Sequence, residues 1–241
     1  RENRARQQGI RINPDKNRFL MNIWFIMIAV MLASAIIQAG LNSKFSKYSK
    51  VGCRYSGAQV AEMMLRQHGI TDVAVTCVRG HLTDHYNPAN KINLSEEVYG
   101  TYSIAAVAVA AHETGHAIQH ASGYAPVRLR SALVPIVSFC NNAVSWVLLL
   151  GCLLLTAFPQ VLWAGIAMFA MTTLFSIVTL PVEINASARA VQWLDMAGIT
   201  DFETTPMAKD ALRWAAYTYV IAALGSVATL LYYIGIARSR D

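Results

Sequence analysis

Charged side chains are scarce in this chain. Asp, Glu, Lys and Arg make up 14% of its 241 residues, where a soluble domain carries about 25%. The deficit is concentrated in a few long apolar stretches, which argues against an ordinary water-soluble globule. Cysteine is scarce too: there are four, with no CxxC pair among them, which excludes a thiolate zinc knuckle. Cys140 and Cys152 fall inside an apolar run and read as packing residues. Cys53 and Cys77 share a polar segment, where a disulfide depends on which compartment that segment occupies. The net charge of +6 is spread over tails and connections, with no Lys/Arg run interleaved with aromatics, so there is no nucleic-acid footprint. Internal repeats and low-complexity segments are also missing.

What the chain does have is four uncharged apolar runs, at 19–40, 131–157, 160–181 and 214–237. Each meets the length of about 20 residues needed to cross a bilayer as a helix. Pro159 separates the second from the third. The first run is too long for a cleaved signal segment and lacks a small-residue cleavage pattern after it, so it is expected to stay in the protein. The fold class that follows is mainly α: a multi-pass membrane protein of about four transmembrane helices. Residues 1–18 form a basic tail, and two polar segments, 41–130 and 182–213, connect the spans. Four crossings put those two segments on one face of the membrane. The tails and the Pro159 link then lie on the other.

The segment 41–130 opens with Lys44, Lys47 and Lys50. An amphipathic helix is predicted over 56–68, with Val60, Met63 and Met64 at helical spacing and Gly69 as its stop. A β-branched stretch at 72–78 predicts a strand, and 81–86 and 91–94 predict two more around the turn Asn87-Pro88-Ala89-Asn90. Ser95-Glu96-Glu97 starts a short helix. Beyond the third span a helix is predicted to run on to about Ala197, with Gly198 after it. Pro206 sits in the first turn of the helix entering the fourth span.

The informative motif is His112-Glu113-Thr114-Gly115-His116. An Ala-rich run from Ser103 leads into it with no Gly or Pro, so the motif sits on a buried helix that stops near Gly123. Positions i and i+4 share a helix face, so both imidazoles can reach one metal ion. A carboxylate next to the first is placed to take a proton from water activated there. This is the HExxH arrangement of zinc hydrolases, most of which cut peptide bonds. Buried polar groups of this kind need a partner, and metal is an economical one. His112 and His116 are therefore expected to ligate one zinc ion per chain, with Glu113 as general base.

A catalytic zinc usually takes three protein ligands and leaves one position open. His120 lies i+4 from His116, but on a straight helix it sits about 6 Å further along the axis, with no break in Ala117-Ile118-Gln119 to turn it back. A role in a polar network suits it better. Glu183 follows Pro181 at the membrane edge of the third span, on the same face as the motif. A carboxylate there is costly unless paired or coordinated, so Glu183 is the expected third ligand. Asp84 is a candidate to orient a ligand imidazole. Arg189, Tyr217 and His120 are candidates to donate to the developing oxyanion.

The stretches Gly80-His81-Leu82-Thr83-Asp84-His85-Tyr86-Asn87-Pro88, Leu94-Ser95, His112-Glu113-Thr114-Gly115-His116 and Leu180-Pro181-Val182-Glu183-Ile184-Asn185-Ala186-Ser187 resemble the YugP-type membrane zinc metallopeptidases. That family is similar in layout to the HtpX-type membrane peptidases. The resemblance covers roughly residue 44 to the end and implies a small zincin-like α+β catalytic region built from two segments on one membrane face. It implies Glu183 as third ligand, and a strand at 91–94 lining the substrate cleft.

The expected activity is hydrolysis of peptide bonds in membrane or membrane-proximal proteins. The expected partners are a peptide or protein substrate and the bilayer, with oligomeric state left open. A zinc-stabilised scaffold or chaperone partner without catalysis is the alternative, against which the presence of Glu113 argues. A transporter is disfavoured because spans one, two and four carry no charge. The protein is expected in the cell membrane. Basic residues divide almost evenly between the two faces; those just after the first span put the active face in the cytoplasm, while the basic tail argues the other way.

Overall fold

The computed structural model describes residues 14–80 and 83–238, the side chains of 14–21 excepted. Among the described residues, four helices are long and apolar enough to cross a membrane. They are α1 (Pro14–Tyr48), α5 (Ala125–Leu153), α6 (Pro159–Met196) and α7 (Thr205–Arg238). Between α1 and α5 lie α2 (Gly57–Gln67), β1 (Ala74–Val78), β2 (His85–Asn87), β3 (Lys91–Ser95), α3 (Glu96–Tyr99) and α4 (Ile104–Ala121). The chain is thus a multi-pass membrane protein, mainly helical, with one small sheet.

At 1.5 Å per residue, the 38 residues of α6 extend about 57 Å, nearly twice the roughly 30 Å of a hydrocarbon core. The 34 residues of α7 likewise overrun it. Most of 182–213 is therefore not loop but the outer turns of these two helices, joined by a short connection that begins at Gly198, with φ of +64°. The same holds for α1, whose helix continues past the expected end of the first span to Tyr48. Contacts with α7 extend it. Trp214 packs where a Cβ on Gly40 would sit, the Tyr48 hydroxyl donates to Asp210 Oδ2 at 2.8 Å, and Lys44 Nζ pairs with the same oxygen at 2.7 Å.

Local signals account for the remaining boundaries. Ser56 and Gln59 form a reciprocal capping box on α2, whose buried face is Val60, Ala61, Met64 and Leu65. Ser103 caps α4 by accepting from the Ala106 N–H at 3.3 Å. Pro126 and Pro159 sit in the first turns of α5 and α6, where a missing N–H costs nothing.

The β2–β3 turn is an Asx turn: Asn87 Oδ1 accepts from the Ala89 N–H at 2.9 Å. The sheet order is β1-β3-β2, with β1 parallel and β2 antiparallel to β3. This corrects one expectation. The strand at 91–94 is the centre of the sheet, paired on both sides, so it offers no open edge to a substrate; β2 is an edge strand and reaches the HExxH motif through Tyr86. Residues 81–82, including His81, and the tail 1–13 lie outside the described residues. Cys53 and Cys77 do not pair, and all four cysteines are free.

Helix α4 is buried along almost its whole length. One flank packs with α2, α6 and α7 through Met64, Val107, Ala111, Ala190, Leu194 and Leu212. The other carries the sheet through Ala106, Ala110 and Ala117 against Ile92 and Leu94. The spans differ: Phe25, Phe139, Trp146 and Leu153 each expose about 70% of their surface, as faces turned to lipid do.

Candidate metal centre

Helix α4 supplies two imidazoles. The His112 and His116 ring centroids are 4.8 Å apart, with the rings nearly perpendicular. Helix α6 supplies Glu183, whose Oε2 lies 3.3 Å from His112 Nε2 and 3.5 Å from His116 Nε2. Ligand atoms of all three residues lie within 4.8 Å of one another. Glu183 is 3% exposed, and its Oε2 receives no directed hydrogen bond. A buried carboxylate oxygen facing two imidazole nitrogens on such terms is costly in an apolar interior. A divalent cation would satisfy all three groups at once. Two imidazoles and one carboxylate are also the donor set of a catalytic zinc with an open position.

Close approach of α4 and α6 brings the carboxylate to the imidazoles. Gly115 permits it: a Cβ there would lie 2.8 Å from the Ala186 carbonyl oxygen. Any larger residue must push the helices apart. Pro181 removes one rung of the α6 hydrogen-bond ladder just before Glu183.

The far side of each imidazole is also engaged. His116 Nδ1 lies 3.1 Å from Gln119 Oε1. Gln119 is fully buried and donates through Nε2 to the Val182 carbonyl at 2.8 Å and to Asn185 Oδ1 at 3.0 Å. That oxygen also accepts from Arg189 Nε at 2.8 Å. His112 Nδ1 lies 3.1 Å from Ser187 Oγ. The Gln119 amide oxygen can only accept, so His116 Nδ1 is the donor and its Nε2 lone pair faces Glu183, the tautomer a metal requires; Ser187 Oγ can accept from His112 Nδ1 in the same way. Burial alone lowers the His116 pKa, but pairing with the Glu183 carboxylate and the charge of Glu113 outweigh it and leave it raised. A cation held there would take the place of that proton.

Glu113 Oε2 accepts the Tyr86 N–H of β2 at 2.9 Å, which ties the sheet edge to the motif. A cavity of about 130 Å³ opens beside it, lined by Asp84, His112, Glu113, Glu183, Ser187 and Tyr219 among others. Asp84 reaches the cavity but orients no imidazole. Its carboxylate accepts from the Ser95 N–H at 2.7 Å and Ser95 Oγ at 3.1 Å. Burial raises its pKa, Ser95 partly offsets this, and the Glu113 charge adds to it. His120 lies outside the ligand cluster, its ring 5.2 Å from that of Tyr86; burial, then His116 and Arg130, lower its pKa.

Arg189 is committed to Asn185. Tyr217 stacks edge-on against Trp214 and lines a neighbouring groove instead of this cavity. The tyrosine facing the cavity is Tyr219, within electrostatic reach of Glu183 and Glu113. Sequence reasoning assigned no role to Gln119, Asn185, Ser187 or Tyr219. For Gln119 and Ser187 a signal existed: they lie i+3 from His116 and i+4 from Glu183, on the ligand faces of their helices.

Residues 23–238 match the family described as "Putative neutral zinc metallopeptidase". The chain is 40% identical over 213 residues to "Putative membrane protease YugP" of Bacillus subtilis (strain 168), covering 87% of this chain and 94% of that one. No solved structure matches.

Proposed function

The chain belongs to the neutral zinc metallopeptidase family, and from that premise we propose that it is a membrane-embedded zinc endopeptidase cutting polypeptides at or near the bilayer surface. The observation that carries this reading is the buried, unsatisfied Glu183 Oε2 between two imidazoles whose far nitrogens are already engaged. His112, His116 and Glu183 hold the metal, one per chain. When bound, zinc brings the pKa of a coordinated water toward neutrality and polarises the scissile carbonyl.

The remaining steps belong to side chains of this protein. Glu113 accepts the proton of the attacking water and delivers it to the departing amine. The Tyr86 N–H engages one of its oxygens and so fixes the carboxylate's orientation while leaving the other oxygen for the proton. Tyr219 donates to the carbonyl oxygen as negative charge develops on it, a role its position in the cavity supports. Asp84 and Ser95 brace the sheet edge that closes the cavity.

Glu113→Gln is the direct test. Zinc should stay at one per chain while turnover of casein or a membrane peptide falls by about 10²–10⁴-fold. Full activity in that variant removes the general-base role. A wild-type protein that holds zinc and turns over no peptide would favour a scaffold instead.

The active face is assigned to the cytoplasm on the strength of Lys44, Lys47 and Lys50 after the first span. Cys77 is exposed and sits in β1, on the active face. In intact cells a membrane-impermeant maleimide should spare a Cys77-only variant and label it once the membrane is permeabilised. Labelling in intact cells moves the active face outside.

A further inference from the structure

A second cavity adjoins the metal centre. It is a groove of about 510 Å³ between the outer turns of α6 and α7, within the roughly 300–1,000 Å³ of ligand sites. Its walls are apolar, formed by Ile184, Ala188, Val191, Leu212, Ala216 and Tyr217. Three residues, Ser187, Leu212 and Ala216, line both this groove and the cavity holding His112, Glu113 and Glu183. One of them, Ser187, touches His112 directly. The two spaces are therefore neighbours across a wall one side chain thick.

Three features say what fits. The groove runs from Val220 and Tyr217, on the apolar part of α7, outward to Gln192 and Lys209 beyond it. A chain leaving the bilayer can thus follow it without crossing open water. Ile184 is 55% exposed, so the groove is open at the side. Its outer end carries Lys209, which complements an acidic residue and not a basic one. We propose that this groove is the principal specificity site of the enzyme, seating a bulky apolar side chain next to the scissile bond of a membrane-anchored polypeptide, with an acidic residue beyond it. The proposal rests on the peptidase reading and names its substrate class.

The test uses the full chain, zinc-loaded, in lipid nanodiscs. The probes are fluorescent membrane-anchored peptides carrying Phe-Glu or Ser-Glu at the bilayer edge. Binding is measured in the Glu113→Gln background and turnover in the wild type. The Phe peptide should bind on the order of 10- to 100-fold more tightly than the Ser peptide, the range apolar pockets give.

Ala188 is exposed and lines only the groove. Ala188→Trp should fill the groove and erase the preference while zinc content stays at one per chain. Ile184→Ser, which strips a wall without entering the core, should weaken Phe-peptide binding in the same direction. Equal binding of the two peptides, or a preference untouched by both substitutions, overturns the proposal; the latter is the result expected if acyl chains fill the groove. Selective binding lost in Ala188→Trp, with no turnover of any peptide by the wild type, would uphold the groove and refute the peptidase reading.

Discussion

Helices α4 and α6 contribute to the proposed ligand set by different physical routes. On α4 the two imidazoles are brought together by helix geometry alone, since i and i+4 share a face. On α6 the carboxylate arrives from 67 positions further along the chain (116 to 183), and only because two backbones meet at Gly115 and Ala186. The first half of the site is local and would survive in an isolated helix. The second half exists only while the bundle is packed. The orienting partners show the same split: Gln119 is on the same helix as His116, but it is itself held by Val182 and Asn185 of α6.

The sharpest way to break the comparison is to delete one ligand from each helix. His116→Ala and Glu183→Ala should each reduce zinc to trace levels and abolish hydrolysis, as metal analysis and peptide turnover would show. Full zinc occupancy in Glu183→Ala would mean that the α4 pair suffices and that the packed half is dispensable. A smaller effect is expected from Gly115→Val, which leaves every ligand in place but forces the helices apart. Overpacking of this kind costs about 1–3 kcal/mol, so thermal stability and zinc affinity should fall together. If stability falls and affinity does not, the helices separate without moving Glu183. The smallest effects should come from the orienting residues. Gln119→Ala should weaken zinc by about 10- to 100-fold. Ser187→Ala should cost less, because Ser187 is only half-buried and water can replace its hydroxyl. Titration against a competing chelator ranks the two, and equal losses would erase the difference between the sites.

Much of the fold was legible because its signals are local. Apolar runs of spanning length, Pro159, the Asn87–Asn90 turn and the capping Ser103 each act within a few residues. Legibility failed where a contact between distant segments decided the outcome. Helix α1 runs to Tyr48 because Trp214 and Asp210 hold its last turns. Strand β3 lies between its neighbours because β1 returns parallel to it, a pairing that strand propensity does not encode. Tyr217 and Tyr219 are two positions apart on one helix and so point about 200° apart. Which of them meets the cavity depends on how α7 is rotated against α6.

The amino-acid order alone specified four membrane crossings and a pair of imidazoles with a carboxylate between them, since hydrophobic length and helical periodicity act over short range. It also narrowed the remaining ligand to Glu183, through the cost of leaving a carboxylate unpaired at a membrane edge. Only the tertiary structure decided that this carboxylate lies beside both rings, that Gln119 and Ser187 engage their far nitrogens, and that an apolar groove adjoins the site. Those facts depend on the distance and rotation between packed helices, which side-chain volumes at contacts such as Gly115 on Ala186 set and no local pattern records.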